Sequence, residues 1–475
     1  MKTKVIIAVI GLLAAGIGAQ AQDKWSLQQC IDFALQHNLT VQQKALACNY
    51  QELNLKTSQL SFVPDLNAGV NQNFAFGRAT GNDNITTSQS MASTGFSVST
   101  SMPIFTGLRV TNQIKADKLN LLAAVEDLNK AKEDVSLNVA SYYLNVLYNK
   151  DLLVVAEHQV QLSAAQVENT AKMVANGKKS EAELYENRAQ LATDEQKRTE
   201  AANAVRLAVL TLCQAINYSD VAQFDVADCD VEALLDATLN TLASPENAYH
   251  ASLGIRPSIK AAELRIESSK RDLKVAQSAY YPQLDLHAGY NTGYYHAFGR
   301  ENLDFGRQLG DNSSEMIALS LSIPIFDRMA TPNRVKQARI NILNQELALE
   351  NEKQALLKEI QTAYYNAVAA RDKYLAADKT VEASRVAFEF EQAKYENGKS
   401  TPFDYNNAKT RYESAQTEAL QAKYEFIFRT KIFDFYNGSA ISLYIKTIFI
   451  IKNRPFPSKK ERTILLCVLC RISRG

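Results

Sequence analysis

Apolar and polar residues alternate at every second position in four segments of the chain. These segments are residues 66–76, 96–104, 284–290 and 317–325. A period of two predicts β-strands, because successive side chains of a strand point to opposite faces. One face of each predicted strand is apolar, and the other carries mostly small or polar residues. This pattern fits a transmembrane barrel with lipid outside and water inside, and it also fits a soluble β-sandwich.

Two other stretches predict helices of unusual length. One covers residues 108–176 without Pro or Gly, and the other covers residues 332–396, with Thr331 as its N-cap. At 1.5 Å per residue, each helix spans about 100 Å, and such lengths imply coiled-coil packing. Two shorter predicted helices, over residues 25–60 and 178–216, together match one long helix. We expect them to lie end to end beside it.

The chain contains an internal duplication. Five short matches recur in the same order about 220 residues later, which strongly supports two structural repeats. The matches are Pro64 and Pro282, Phe76-Gly77-Arg78 and Phe298-Gly299-Arg300, Pro103-Ile104-Phe105 and Pro324-Ile325-Phe326, Tyr142-Tyr143 and Tyr364-Tyr365, and Asn176-Gly177-Lys178 and Asn397-Gly398-Lys399. Each repeat reads as helix, two strands, long helix and helix. The predicted repeats cover residues 22–216 and 245–438.

The segments outside the repeats differ in composition. Residues 1–21 have the basic, apolar and small-residue order of a secretory signal peptide, so we expect the chain to be exported. Residues 217–244 form an acidic linker without Lys or Arg, which we expect to be a solvated belt rather than a calcium loop. Residues 439–475 form an atypical basic tail, interpreted either as a frameshifted or read-through end or as a basic surface segment.

Composition and motifs argue against several other functions. With 52 Lys and Arg against 51 Asp and Glu, the net charge of +1 lacks the basic footprint of a nucleic-acid binder. The chain contains no P-loop, HExxH, GxSxG or GxGxxG motif, and its five His are scattered. Cys467 and Cys470 are separated by two residues, but no second pair or His completes a metal site. The sequence therefore predicts no enzyme, no metal site and no cofactor.

The number of strands constrains the assembly. Four strands cannot close a barrel, and an open sheet edge cannot face lipid. Because transmembrane barrels need at least about eight strands, the chain must oligomerise if its strands enter a membrane. Three copies would supply a 12-stranded β-barrel above a hollow cylinder of helices. The predicted fold class is an α+β membrane protein, with a long α-helical coiled-coil barrel and four transmembrane β-strands per chain, closed as a homotrimer.

Taken together, the duplication, the Pro-Ile-Phe motif before each long helix and the Gly-centred turns at Gly177 and Gly398 carry a resemblance. The chain resembles the TolC-like outer-membrane efflux protein family. The resemblance implies a homotrimer in the outer membrane of a Gram-negative bacterium, with its helical domain in the periplasm. It also implies a periplasmic adaptor (membrane fusion protein) and an inner-membrane efflux pump or ABC exporter as partners. The expected function is a passive exit duct for small molecules or proteins in a tripartite efflux or type I secretion system.

The resemblance also implies roles for the two tip turns. Residues 398–407 are similar to the family pattern Gly-x-x-Thr-x-x-Asp-x-x-Asp, which would place Asp404 at the closed periplasmic aperture. Asn407 stands where the family has a second acid, and Glu183 takes the place of Asp404 in the first repeat. A solvated helix surface is the alternative interpretation for these charges. The adaptor-docking residues implied are Gly177, Lys178, Lys179, Ser180, Gly398, Lys399, Ser400 and Thr401.

A periplasmic coiled-coil adaptor or scaffold protein is the alternative function. An adaptor would need one helical hairpin and lipoyl-like β repeats. It would not need four amphipathic strands in two pairs. The duplicated strand pairs therefore favour the duct.

Overall fold

The computed structural model describes residues 24–80, 86–88, 90–228, 235 and 244–439. The predicted signal peptide lies outside these residues, as does the basic tail apart from Ser439. The elements in chain order are α1 (Leu27–His37), α2 (Leu39–Leu60), β1 (Asn67–Ala75), β2 (Arg78–Thr80), β3 (Thr86–Ser88), β4 (Met91–Phe105), α3 (Arg109–Ala175), α4 (Glu181–Ile216), α5 (Pro245–Leu253), α6 (Pro257–Gln277), β5 (Gln283–Ala297), α7 (Phe305–Asp311), β6 (Ser314–Ser322), α8 (Ala330–Glu396) and α9 (Pro402–Tyr436).

The four longer strands form one antiparallel sheet in the order β1-β4-β5-β6, and β2 and β3 form a separate hairpin. The cross-strand register gathers the alternating apolar residues onto one face, as the sequence predicts. Opposed pairs on the apolar face include Val70 and Phe96, Val98 and Tyr290, and Leu286 and Leu319. Opposed pairs on the polar face include Gly69 and Ser97, Ser101 and His287, and Asp285 and Ser320.

The apolar face of the sheet is uncovered over much of its area. Ile317 is 83% exposed and Leu319 is 63% exposed. Within the described part of the chain, no second sheet lies against these side chains, whereas a soluble sandwich packs two sheets face to face. An apolar face open to its surroundings on one side and a polar face on the other suit a sheet between lipid and water.

The two long helices are confirmed, and α3 and α8 have 67 residues each. The predicted start of the second is wrong, because α8 begins at Ala330, before Thr331 and Pro332. The Asp327 carboxylate accepts a hydrogen bond from the Thr331 amide (2.6 Å), so Asp327 supplies the side-chain oxygen expected of Thr331. Among the described residues, no helix is sufficiently long and apolar to cross a membrane.

The predicted helix over residues 25–60 is also wrong, because it is broken at Asn38. The Asn38 backbone is extended (ψ 127°), and its side-chain oxygen accepts hydrogen bonds from the amides of Thr40 and Val41. Asn38 therefore ends α1 and caps α2. An Asn competes well for such a cap because its short side chain reaches backbone amides.

The largest buried cluster lies where α1, α3 and α4 meet the start of the inter-repeat linker. Cys30, Leu212, Cys213 and Val226 are fully buried there. The Tyr143 hydroxyl lies 2.7 Å from the Ala227 carbonyl oxygen and ties the linker to α3. We call this cluster the waist core.

Two acids of the linker form ion pairs with basic residues outside it. Asp225 accepts from Lys150 Nζ (2.5 Å), and Asp228 accepts from Lys24 Nζ (2.7 Å). Asp228 is exposed, as a solvated belt requires, whereas Asp225 is half-buried. Lys150 of α3 and Lys24, which precedes α1, neutralise the linker locally. Asp220 is exposed, and the linker acids at positions 230, 232 and 236 lie outside the described residues.

Candidate functional site at the helical tips

The two hairpins of long helices end in turns of the same geometry. Gly177 has φ 71° and Gly398 has φ 68°, a left-handed conformation that costs glycine little. In both turns the next amide donates back to a helix carbonyl at 2.9 Å, from Lys178 to Met173 and from Lys399 to Lys394. These bonds satisfy carbonyls left open where α3 and α8 end.

The helices that leave the turns begin with equivalent caps. Ser180 Oγ accepts from the Glu183 amide (3.3 Å), and Thr401 Oγ1 accepts from the Asp404 amide (3.2 Å). Glu183 and Asp404 therefore occupy the same helical position, three residues after the cap. A carboxylate there interacts favourably with the positive end of the helix dipole.

The two acids differ in their charged neighbours. Glu183 lies 3.2 Å from Lys179 Nζ, and the same ammonium sits 3.4 Å from the centre of the Tyr395 ring. Asp404 instead accepts a hydrogen bond from Thr401 Oγ1 (2.6 Å). Within the described residues, no Lys or Arg lies at ion-pair distance from Asp404. The second-repeat carboxylate is therefore the less neutralised of the two.

A groove of about 1100 Å³ lies between α8 and α9 beside the second turn. It brings together the second-turn candidates, namely Gly398, Lys399, Ser400, Thr401, Asp404 and Asn407. It does not include Glu183 or the first-turn candidates. The groove also contains residues that sequence reasoning missed, including Lys379, Glu391, Lys394 and Arg411. One sequence feature could have indicated the groove. Ala383 and Ala387 are small residues about one helical turn apart, and they leave room between the two helices.

Glu391 is held in its charged form at the groove wall. Ser400 Oγ donates to its carboxylate, and Lys394 Nζ lies 3.0 Å away. These two contacts, the Ser400 hydrogen bond first, lower the pKa of Glu391. Ser400 thus connects the turn to α8 instead of projecting freely into solvent.

A buried polar cluster joins the two hairpins behind the tips. Lys409 Nζ of α9 lies 2.5 Å from Asp194 of α4, and Ser163 Oγ of α3 donates to the same carboxylate. Lys409 is 2% exposed and Asp194 is 1% exposed. No local sequence pattern indicates this cluster, because its members lie far apart in the chain.

A family model described as outer membrane efflux protein matches residues 30–218 and 248–427, well over half of the chain. The chain belongs to the outer membrane efflux protein family. Among curated relatives, the outer membrane efflux protein BepC of Brucella suis biovar 1 (strain 1330) is 19% identical over 89% of this chain and 88% of its own. The alkaline protease secretion protein AprF of Pseudomonas aeruginosa is 26% identical over 37% of each chain.

Solved structures agree on the fold of this family member. A crystal structure of CusC matches with a TM-score of 0.73 at 17% identity, covering 87% of this chain and 92% of that chain. The resemblance inferred from the sequence is confirmed, and so is the α+β fold class. The protein is an outer-membrane channel protein and not an enzyme, and its helical domain lies in the periplasm.

Proposed function

We propose that three copies of the chain form the exit duct of a tripartite efflux or type I secretion system. The four-stranded sheet carries this proposal, because β1 and β6 are its two edges and one of its faces is apolar. Pairing β6 of one copy with β1 of the next would remove every open edge and form a 12-stranded β-barrel. The long helices then line a tunnel from the periplasm to the exterior.

Heat-modifiable trimers in outer-membrane fractions and ion conductance of the purified protein in planar bilayers test this assembly. We expect a mass of three chains and a stepwise conductance. A monomer without conductance would contradict the duct and favour a periplasmic scaffold.

We propose that Asp404 lies at the periplasmic aperture, where three copies form a ring of carboxylates. Such a ring attracts cations. Replacing Asp404 by Asn should lower the cation-to-anion permeability ratio in bilayers. The matched control is Glu183→Gln, which should change the ratio less because Lys179 already neutralises Glu183. Equal ratios for the wild type and Asp404→Asn would contradict the aperture role. Asn407 adds no charge to the ring.

We propose that the tip turns dock a periplasmic adaptor, with the groove between α8 and α9 as the larger contact. Support comes from its volume and from the charged side chains around Lys399. Lys399→Glu should reduce recovery of the adaptor with the purified channel after crosslinking in cells. Lys358→Glu, exposed on α8 far from the tip, should not. Equal recovery in both variants would contradict docking at this groove.

The cargo is proposed from the relatives only as a choice between two classes. BepC is named for efflux and AprF for protease secretion. Deleting the gene and measuring both drug susceptibility and secreted protein separates the classes.

We also propose cleavage after Ala21 and repeat boundaries at residues 22–216 and 245–438. Mass spectrometry of the mature protein checks the cleavage and shows whether residues 439–475 are present.

A further inference from the structure

The segment between β5 and β6, residues 298–313, is here named the rim strap. It includes α7 and lies at the end of the sheet away from the long helices, since β4 runs from the strap end into α3. Pairing of β5 with β6 stops at Asn291 and Ser314, whereas β5 continues to Ala297. Residues 292–297 of β5 would therefore present unpaired backbone groups along an open edge.

Amide side chains of the rim strap occupy that edge. They pair with alternate β5 residues, whose backbone groups point away from β4. Gln308 is 6% exposed, and it accepts from the Tyr295 amide (2.9 Å) and donates to the Tyr295 carbonyl (3.0 Å). The companion bonds are Asn312 to the Gly293 carbonyl, and Asn302 to both the amide and the carbonyl of Ala297. This amide ladder replaces a neighbouring strand and fixes the strap against β5.

The strap lies on the apolar face of the sheet. Its Phe305 ring is 5.2 Å from the Tyr294 ring and 6.5 Å from the Phe96 ring, measured between centroids. Thr292 Oγ1 donates to the Leu309 carbonyl (2.6 Å). Phe96, Thr292 and Tyr294 all alternate with the polar-face residues, so the strap does not lie over the polar face.

The position of the strap along the strands matches the edge of the apolar surface. Farther toward the helices, the same face carries Ile317 and Leu319, whereas near the strap it carries Glu315 opposite Tyr290. Aromatic rings cluster at this level, with His296 and Phe298 at 5.2 Å and Phe76 and Phe298 at 6.2 Å between centroids. Aromatic girdles of this kind mark the membrane–water interface in transmembrane barrels.

The outer surface of the strap is itself amphipathic. Phe298 is 46% exposed, Leu303 55% and Phe305 48%. Charges of both signs lie between them, and Arg307 pairs with Asp311 at 3.5 Å. Apolar rings and mixed charges side by side suit the headgroup region, where one part of a surface meets lipid and another meets water.

We propose that the rim strap is a lipid-binding collar, seated in the outer-leaflet interface with Phe298, Leu303 and Phe305 against lipid chains. The occupant follows from position, because the strap adjoins the edge of the apolar face and itself exposes Phe298, Leu303 and Phe305. The amide ladder allows this, since it removes the open edge that lipid would not solvate. This inference rests on the proposed function, because only in the proposed barrel does the apolar face of the sheet contact lipid.

Quenching of tryptophan fluorescence by brominated lipid tests the collar. Trp25 is the single tryptophan, and it packs against the waist core, far from the sheet in the chain's fold, so the wild-type signal serves as the background. The reporter variant is Leu303→Trp, reconstituted in phosphatidylcholine vesicles with chains brominated close to the headgroup. We expect the added emission to be largely lost relative to vesicles without bromine. Emission as strong as in unbrominated vesicles would overturn the collar.

Two matched variants separate failure of the collar from failure of the barrel. In vesicles whose chains are brominated near their middle, Leu319→Trp on the apolar face should be quenched, and its neighbour Ser320→Trp on the polar face should not. If Leu319→Trp is quenched and Leu303→Trp is not, the collar alone is wrong. If Leu319→Trp is unquenched, the membrane-facing assignment of the whole sheet is wrong. Adding Gln308→Ala to Leu303→Trp should reduce quenching, and unchanged quenching would overturn the role of the amide ladder.

Discussion

At the scale of single residues, Lys409 places a buried positive charge where the hairpin of α8 and α9 packs against the hairpin of α3 and α4. We call this interface the seam. It contacts Asp194 of the first repeat, and Ser163 completes the same cluster. Removing both charges from water is costly, so the pair contributes less to stability than its short distance suggests. The pair instead favours one packing register of α9 against α4, because Lys409 contacts Asp194 only in that register.

Replacing Lys409 by Ala should lower the free energy of unfolding by about 3–5 kcal/mol, because the buried Asp194 carboxylate would lose its close ammonium partner and keep only Lys197 Nζ at 3.8 Å. The temperature of unfolding, followed by circular dichroism in detergent, measures this effect. The double variant Lys409→Met with Asp194→Leu should be far closer to the wild type. A single variant as stable as the double variant would contradict a buried charge pair.

The cysteines of the waist core should be chemically inert in the folded protein. Burial raises the pKa of Cys30 to about 12 and that of Cys213 to about 11. Only the thiolate reacts well, so both thiols should resist maleimide at pH 8 until the protein unfolds. Variants that keep a single cysteine make the comparison, and Cys48, which is only partly buried, should react sooner. Equal rates at Cys30 and Cys48 would contradict a closed waist core.

Sequence reasoning found some residue relationships and missed others for a physical reason. The equivalence of Glu183 and Asp404 was predictable, because a helix cap and an acid three residues later form a local pattern. The position of Lys179 over the Tyr395 ring was not, since that contact joins the two repeats. Contacts across the seam depend on packing that no local pattern contains.

At the scale of elements, both long helices start from the same uncommon backbone turn. Gly107 and Leu108 have φ of 61° and 66°, and Arg328 and Met329 have φ of 55° and 66°. Two consecutive left-handed residues turn the strand end sharply into the helix. Side chains other than glycine are strained there by about 1–2 kcal/mol per residue.

The two repeats should respond differently to substitution at this turn. A Cβ on Gly107 would lie 2.7 Å from the Ser278 carbonyl oxygen and 2.8 Å from Tyr281 Cβ. Gly107→Ala should therefore destabilise the protein by about 1–3 kcal/mol through overpacking and backbone strain. Arg328 is exposed, and Arg328→Gly should be neutral or stabilise by up to about 1 kcal/mol. Thermal unfolding compares the two, and equal losses would contradict the packing argument.

The tip caps should control local opening of the turns. Ser180→Ala and Thr401→Ala each remove a side-chain acceptor at a helix start and should cost about 1 kcal/mol. Hydrogen exchange of the first turns of α4 and α9 should then accelerate while the waist core is unaffected. Thr193→Ala is the control, because the Thr193 hydroxyl donates within a helix to the Ala189 carbonyl. Unchanged exchange at both tips would show that the caps do not limit opening.

The elements were largely predictable because their signals are strong and local. Long runs without Pro or Gly indicated α3 and α8, and period-two alternation indicated the four strands. The break at Asn38 was missed because the residues on either side favour helix and hide a single cap. The added length of β4 at Met91–Gly95 was missed because its Ser, Thr, Ala and Gly residues alternate only weakly in hydrophobicity.

At the scale of the whole molecule, the sheet of one chain is incomplete by itself. Its strands pair with a consistent register, yet β1 and β6 remain as edges and the apolar face remains open. Counting strands in the sequence was enough to require partners, because an open edge cannot be placed in lipid. Which edge residues meet between copies was not predictable, because no pattern within one chain sets the register between two.

The strongest prediction at this scale compares two neighbouring residues on opposite faces of β6. Leu319→Lys places a charge on the apolar face, where lysine near the bilayer midplane costs about 2–4 kcal/mol in barrel proteins. Ser320→Lys places the same charge on the polar face, next to Asp285 across the strands, where water is available. We expect Leu319→Lys to reduce the yield of heat-modifiable trimers in outer-membrane fractions and Ser320→Lys to leave it unchanged. Since the two substitutions share strand, depth and charge, a difference between them reports the facing of the sheet alone. Equal yields would mean that the apolar face does not meet lipid.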